Sequence, residues 1–151
     1  MLPIIKKTLP LLISLASLHV HAAKIASLDA GDYALKSGKS EWCQDFTIAV
    51  SDLGKKNIAI SEQYHFKTEN SFVKMQSDID PKCAFISSTK RKEGEAKETV
   101  LTSQRQEICS SKITSNIETT ATFLPGEIQI RQQINNARPY ECVWKKRATK
   151  P

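Results

Sequence analysis

Histidine is nearly missing from this chain. Three occur in 151 residues, and His19 and His21 fall within the first two dozen positions, so His65 alone belongs to the body of the chain. A Ser–His–Asp or Cys–His arrangement has no other base to recruit, and His65 sits between Tyr64 and Phe66 without marked neighbours. The five glycines form no phosphate-cradling loop. No two cysteines stand closer than 26 positions, so the closely spaced pairs that nucleate structural zinc sites are lacking. Asp78 and Asp80 are too sparse for a calcium loop, and Glu93, Glu95 and Glu98 crowd one charged window without any sign of a cleft. These absences argue against an enzyme and imply no cofactor and no metal. The basic runs 90–92 and 145–147 read as solvated turns and ends rather than a nucleic-acid surface.

What is present begins with an export signal. Lys6 and Lys7 supply a positive start, 9–18 is a short apolar run, and Val20-His21-Ala22 fits a cleavage site. The run falls short of the roughly 20 apolar residues that span a bilayer, so no stable membrane span is expected. Residues 1–22 are therefore expected to be a secretory signal, and 23–151 a single β-rich domain with a basic C-terminal tail. Removing the signal leaves 129 residues with 20 basic and 16 acidic side chains, a net charge of +4. The implied location is periplasmic or secreted.

All four cysteines, Cys43, Cys83, Cys109 and Cys142, lie in the exported part. An even number in an oxidising compartment favours disulfides. Sequence leaves three connectivities open. The preferred one joins Cys43 to Cys142, near the two ends of the domain, and Cys83 to Cys109, across the charged window around Gly94.

Short runs with period-two alternation, separated by turn residues, predict an antiparallel all-β domain. Tyr33 to Lys36 forms a first strand ended at Gly38; Trp42, Phe46, Ile48 and Val50 point one way in a second. Ile58 and Ile60, then Tyr64 and Phe66, alternate on either side of a turn. Runs at 72–75, 83–89, 116–123, 128–134 and 140–144 follow, with 52–57, 90–98, 125–126 and 135–139 read as turns. A helix over 95–108 competes with strand, because Ala96, Val100, Gln104 and Ile108 recur at four-residue spacing. The expected fold is a single up-and-down barrel of about 8 to 10 short strands, with a β-sandwich as the alternative.

Gly31-Asp32-Tyr33-Ala34-Leu35, followed by Cys43-Gln44-Asp45-Phe46-Thr47-Ile48, resembles the opening of small exported lipocalin-like β-barrels, which include bacterial metalloprotease inhibitors. Those families begin with a Gly-x-Trp element, and some bacterial members follow it with an early disulfide cysteine; here Tyr33 takes the tryptophan's place. The resemblance covers about 20 residues and implies an exported, disulfide-bearing barrel of eight strands.

Two functions follow as expectations. The first is a non-catalytic binding protein holding a small apolar ligand inside the barrel, lined by Phe46, Ile48, Ile58, Ile60, Tyr64, Phe66, Phe85, Ile128 and Ile130. The same residues would make an ordinary core. The second is a protein–protein module, an inhibitor of a secreted protease or an envelope-complex subunit, working through its loops.

Overall fold

The computed structural model describes residues 24–39 and 41–148; the expected signal over 1–22 lies outside them. The chain is all-β. Ten strands run β1 (Gly31–Ser37), β2 (Phe46–Ile48), β3 (Asn57–Ile60), β4 (Tyr64–Lys67), β5 (Ser71–Gln76), β6 (Cys83–Glu93), β7 (Thr99–Cys109), β8 (Lys112–Leu124), β9 (Glu127–Ile134) and β10 (Tyr140–Lys146). Eight form one antiparallel sheet in the order β2-β1-β10-β9-β8-β7-β6-β5, and β3 and β4 form a separate two-stranded sheet.

The expected closed barrel is not found. First and last strands do meet, with Tyr33 opposite Lys146 and Leu35 opposite Trp144. The sheet nevertheless ends at β2 on one side and β5 on the other, because the β3–β4 hairpin leaves it and contributes to the core instead. An open sheet with a small second sheet is as compatible with a sandwich as with a barrel.

Turn chemistry explains the meander from β5 to β10. Ser110 and Ser111, both at positive φ (49° and 65°), make the two-residue link between β7 and β8. Pro125 and Gly126 link β8 to β9, proline presetting its φ and Gly126 taking +71°. Residues 90–93, read as turn from their charge, continue β6 instead. Only 94–98 turn the chain, with one short 3-10 segment at Glu95–Lys97, and the helical reading of 95–108 gives way to β7.

One face of the sheet carries the core. Tyr33, Ile48, Leu101, Ala121, Phe123, Ile128, Ile130 and Trp144 from the large sheet are buried with Ile58, Ile60, Tyr64 and Phe66 from the hairpin and Ile25 and Leu28 from the lead-in. The Tyr33 and Phe46 rings stack at 5.3 Å, and Trp144 meets Phe46 edge-on at the same distance. Two expected members of strand β2 do not join: Trp42 and Val50 lie outside it and are exposed. No buried side-chain nitrogen or oxygen among the described residues lacks a hydrogen-bond partner. Cys43 is bonded to Cys142 and Cys83 to Cys109.

Arg91 ties the layers together. Its guanidinium donates to the carbonyls of Thr68 (2.7 Å) and Lys24 (2.9 Å) and to the Glu93 carboxylate. Partial burial works against ionising Glu93, but the Thr99 hydroxyl (2.7 Å) and Arg91 outweigh it and hold the carboxyl below its ordinary 4.5. A group depressed in the folded state stabilises above its unfolded pKa, and that contribution is lost as pH falls through the folded value. Glu93→Gln should therefore be less stable than wild type near neutrality, with the gap in urea midpoint shrinking as pH drops below about 4.5. A gap unchanged down to pH 2 would contradict the assigned linkage.

Candidate binding groove and sheet edge

The nine residues expected to line an interior do not share one space. Ile48, Ile58, Ile60, Tyr64, Phe66, Ile128 and Ile130 are buried in the core, and Phe46 is half-buried against it. Phe85 stands apart, 43 % exposed, on the part of β6 that runs beyond the hairpin. The reason is strand length. β6, β7 and β8 have 11, 11 and 13 residues, whereas β3 and β4 have four each. Two short strands cannot cover three long ones.

The uncovered end of the core face forms an open groove of about 520 Å³, lined by Met75, Phe85, Ser87, Arg105, Glu107 and Ile117 among others. Strand register builds it row by row. Met75, Phe85 and Glu107 lie opposite one another across β5, β6 and β7; Val73, Ser87, Arg105, Ile117 and Ile134 make the next row through β9. The Cys83–Cys109 disulfide crosses from β6 to β7 at the outer end of this region. A second open depression, of about 490 Å³, lies by Trp42, Pro139 and Tyr140, with the Trp42 and Tyr140 rings 5.5 Å apart.

Polar groups near these depressions have ordinary partners. His65 is exposed on β4, and its Nε2 is 3.1 Å from the Glu62 carbonyl. Glu107 accepts a bond from the Thr114 hydroxyl at 2.8 Å. Cys83, Glu107 and Cys109 are close enough to suggest a metal cluster, but both sulfurs are in a disulfide and provide no thiolate. Burial, with the Tyr140 hydroxyl nearby, pushes the Tyr64 phenol far above its ordinary range, so it stays protonated near neutral pH.

The sequence reading placed a strand at 72–75 but not the exposure of β5. Of the eight large apolar side chains left exposed among the described residues, Phe72 (68 %), Met75 (59 %), Ile79 (97 %) and Phe85 belong to β5, the loop after it, or the strand beside it. The available signal was Phe72-Val73-Lys74-Met75 itself, which breaks the apolar–polar alternation expected of a half-buried strand. No helix among the described residues is long and apolar enough to cross a membrane. Comparison of the chain with protein-family models, with curated proteins and with solved structures returns no match.

Proposed function

We propose that this is an exported, non-catalytic binding protein whose ligand lies in the open groove of Met75, Phe85 and Ile117 rather than inside the sheet. The observation carrying this reading is the concentration of exposed apolar side chains at one end of a molecule whose core is otherwise filled. Soluble proteins rarely leave such surface gathered in one place without a use for it. Two disulfides suit an oxidising compartment. The non-catalytic part of the reading is supported by the ordinary hydrogen bonding of His65 and Glu107 and by the protonated state of Tyr64. The resemblance to small exported lipocalin-like barrels is consistent with an apolar ligand, held here at an open end.

The test uses N-phenyl-1-naphthylamine, a neutral dye that brightens in apolar surroundings. Wild type should enhance its emission, and Phe85→Asp should weaken binding by about tenfold or more, since a carboxylate in an apolar site costs well over 1.4 kcal/mol. Phe85 is exposed, so this variant should melt near the wild-type temperature. Equal dye binding by both proteins, or none by either, would overturn the proposal.

A further inference from the structure

The groove runs up to a free sheet edge. β5 is the terminal strand, paired only with β6, from Ser71 opposite Thr89 to Gln76 opposite Ala84 without a register shift. The bond from the Ser77 N–H to the Cys83 carbonyl (3.0 Å) sets the phase of this ladder. Bonded and non-bonded pairs alternate in an antiparallel ladder, so Ser71, Val73 and Met75 turn their backbone groups towards β6. Phe72, Lys74 and Gln76 then direct N–H and C=O outward, where no described strand receives them.

The usual protections of an edge are short length, proline, a bulge or a cover. β2, at the opposite edge, has three residues. β5 has six, no proline and no bulge, and its single charge is Lys74.

The two faces beside this edge differ in chemistry. On the core side lie Val73, Met75 and Phe85, of which Met75 and Phe85 line the groove. On the other face, the charged members of β5, β6 and β7 are Lys74, Lys90 and Lys92, all positive, because Arg91, Glu93, Arg105 and Glu107 turn to the core side. An added strand would thus meet Val73 and Met75 on the core side and, on the other, Lys74 between Phe72 and Gln76, with Lys90 and Lys92 beyond the Ser71 end of the ladder. A second copy of this chain would add its own Lys74 to a face already positive, and each chain without residues 1–22 carries a formal net charge of +4. Like charges placed opposite one another destabilise a strand pair.

We propose that β5 receives an extended segment of a partner protein as a ninth strand of the large sheet, a segment in which apolar residues alternate with acidic ones. This rests on the groove reading above and names the occupant. Backbone bonds at Phe72, Lys74 and Gln76 supply affinity, the groove selects the apolar side chains, and Lys74, Lys90 and Lys92 select the acidic ones.

The probe is a blocked heptapeptide, acetyl-Glu-Val-Glu-Phe-Glu-Val-Glu-amide, titrated into ¹⁵N-labelled full-length protein purified from an exporting host. Hydrogen exchange at the Phe72, Lys74 and Gln76 amides should slow by about tenfold or more at saturation, while Val73 and Met75, already bonded to β6, change far less. The same peptide with lysine for glutamate should bind about tenfold more weakly at low salt, and the gap should narrow as salt rises. Lys74→Thr keeps the backbone donor and should lose affinity only a few-fold; Lys74→Pro removes the donor at an edge position and should abolish binding. The wild-type exchange pattern stands by itself should Lys74→Pro fold poorly. Displacement of the naphthylamine dye without protection at the three amides would overturn the added strand while leaving the groove reading intact. Absence of dye binding would overturn both. Protection of the same amides without peptide, with a dimer in sedimentation, would replace the partner by a second copy and overturn the proposal.

Discussion

Replacing Cys43 and Cys142 together by alanine should lower stability by about 4–5 kcal/mol, the entropy that a cross-link across 99 positions removes from the unfolded chain. A domain of this size has a net stability of roughly 5–15 kcal/mol, so the variant is expected to be largely unfolded at 37 °C. The damage should exceed the loop term. Trp42 and Tyr140 lie beside the two cysteines, and the Tyr64 hydroxyl donates to the Trp42 carbonyl at 3.2 Å, so the bridge also holds the hairpin's aromatic contact in place. Gly38, at φ +125°, passes so close that a Cβ there would lie 2.7 Å from the Cys43 sulfur. Removing Cys83 and Cys109 is a milder change. Its loop of 26 residues gives about 3–4 kcal/mol at most, and the two positions are already register partners of a continuous ladder. Thermal unfolding of the two double variants should rank them in that order. The reverse order would show that the long-range bridge is dispensable to the sheet.

Trp144→Ala should cost about 3–5 kcal/mol. The ring is fully buried at the centre of the aromatic cluster, edge-on to Phe46 at 5.3 Å and to Tyr64 at 6.3 Å. Its indole N–H donates to the Gln44 carbonyl at 2.9 Å, fastening the β1–β2 connection to the sheet. Truncation therefore opens a cavity and also removes one of the two donors to that carbonyl, which keeps the Ser61 hydroxyl at 3.1 Å. Trp144→Phe separates the effects: the apolar fill mostly remains, and the residual loss of about 1–3 kcal/mol belongs to the hydrogen bond and the smaller ring. Urea unfolding with an unchanged slope should show both values as midpoint shifts. Equal losses for the two variants would mean that the hydrogen bond, not the packing, dominates at this position.

The strands that alternate cleanly were legible. The sequence at 116–123 places Ile117, Thr119, Ala121 and Phe123 on one side, and β8 buries the last three. The competing helical spacing at 95–108 failed because Ala96, Val100, Gln104 and Ile108 include only three apolar groups, while the ladder of β7 with β6 and β8 satisfies every residue from Thr99 to Cys109. The charged window misled for a related reason: in Lys90-Arg91-Lys92-Glu93 both faces of the strand are charged, so no hydropathy alternation remains to mark it. Closure could not be read at all. The runs Ile58-Ala59-Ile60 and Tyr64-His65-Phe66 look the same whether their neighbours are barrel strands or, as found, only each other. That one difference moves eight of the nine candidate lining residues into a filled core and leaves Phe85 at the open end. The run at 72–75 was legible as a strand but its place at the sheet's end was not, because a free edge is a property of which partner is absent, and sequence records only the strand itself.

The two disulfides are nested: the bond from Cys83 to Cys109 lies wholly inside the span from Cys43 to Cys142. In a chain entering an oxidising compartment amino end first, Cys43 and Cys83 emerge before either correct partner, and pairing in order of arrival would join them wrongly. Cys142 belongs to β10, which fills the place between β1 and β9, so the sheet cannot be completed before nearly all of the chain has crossed. By that route, correct pairing calls either for delayed oxidation or for a disulfide isomerase acting through thiol exchange. A host that only oxidises should accumulate a consecutive-pair isomer, and one with an active isomerase should convert it into the native form.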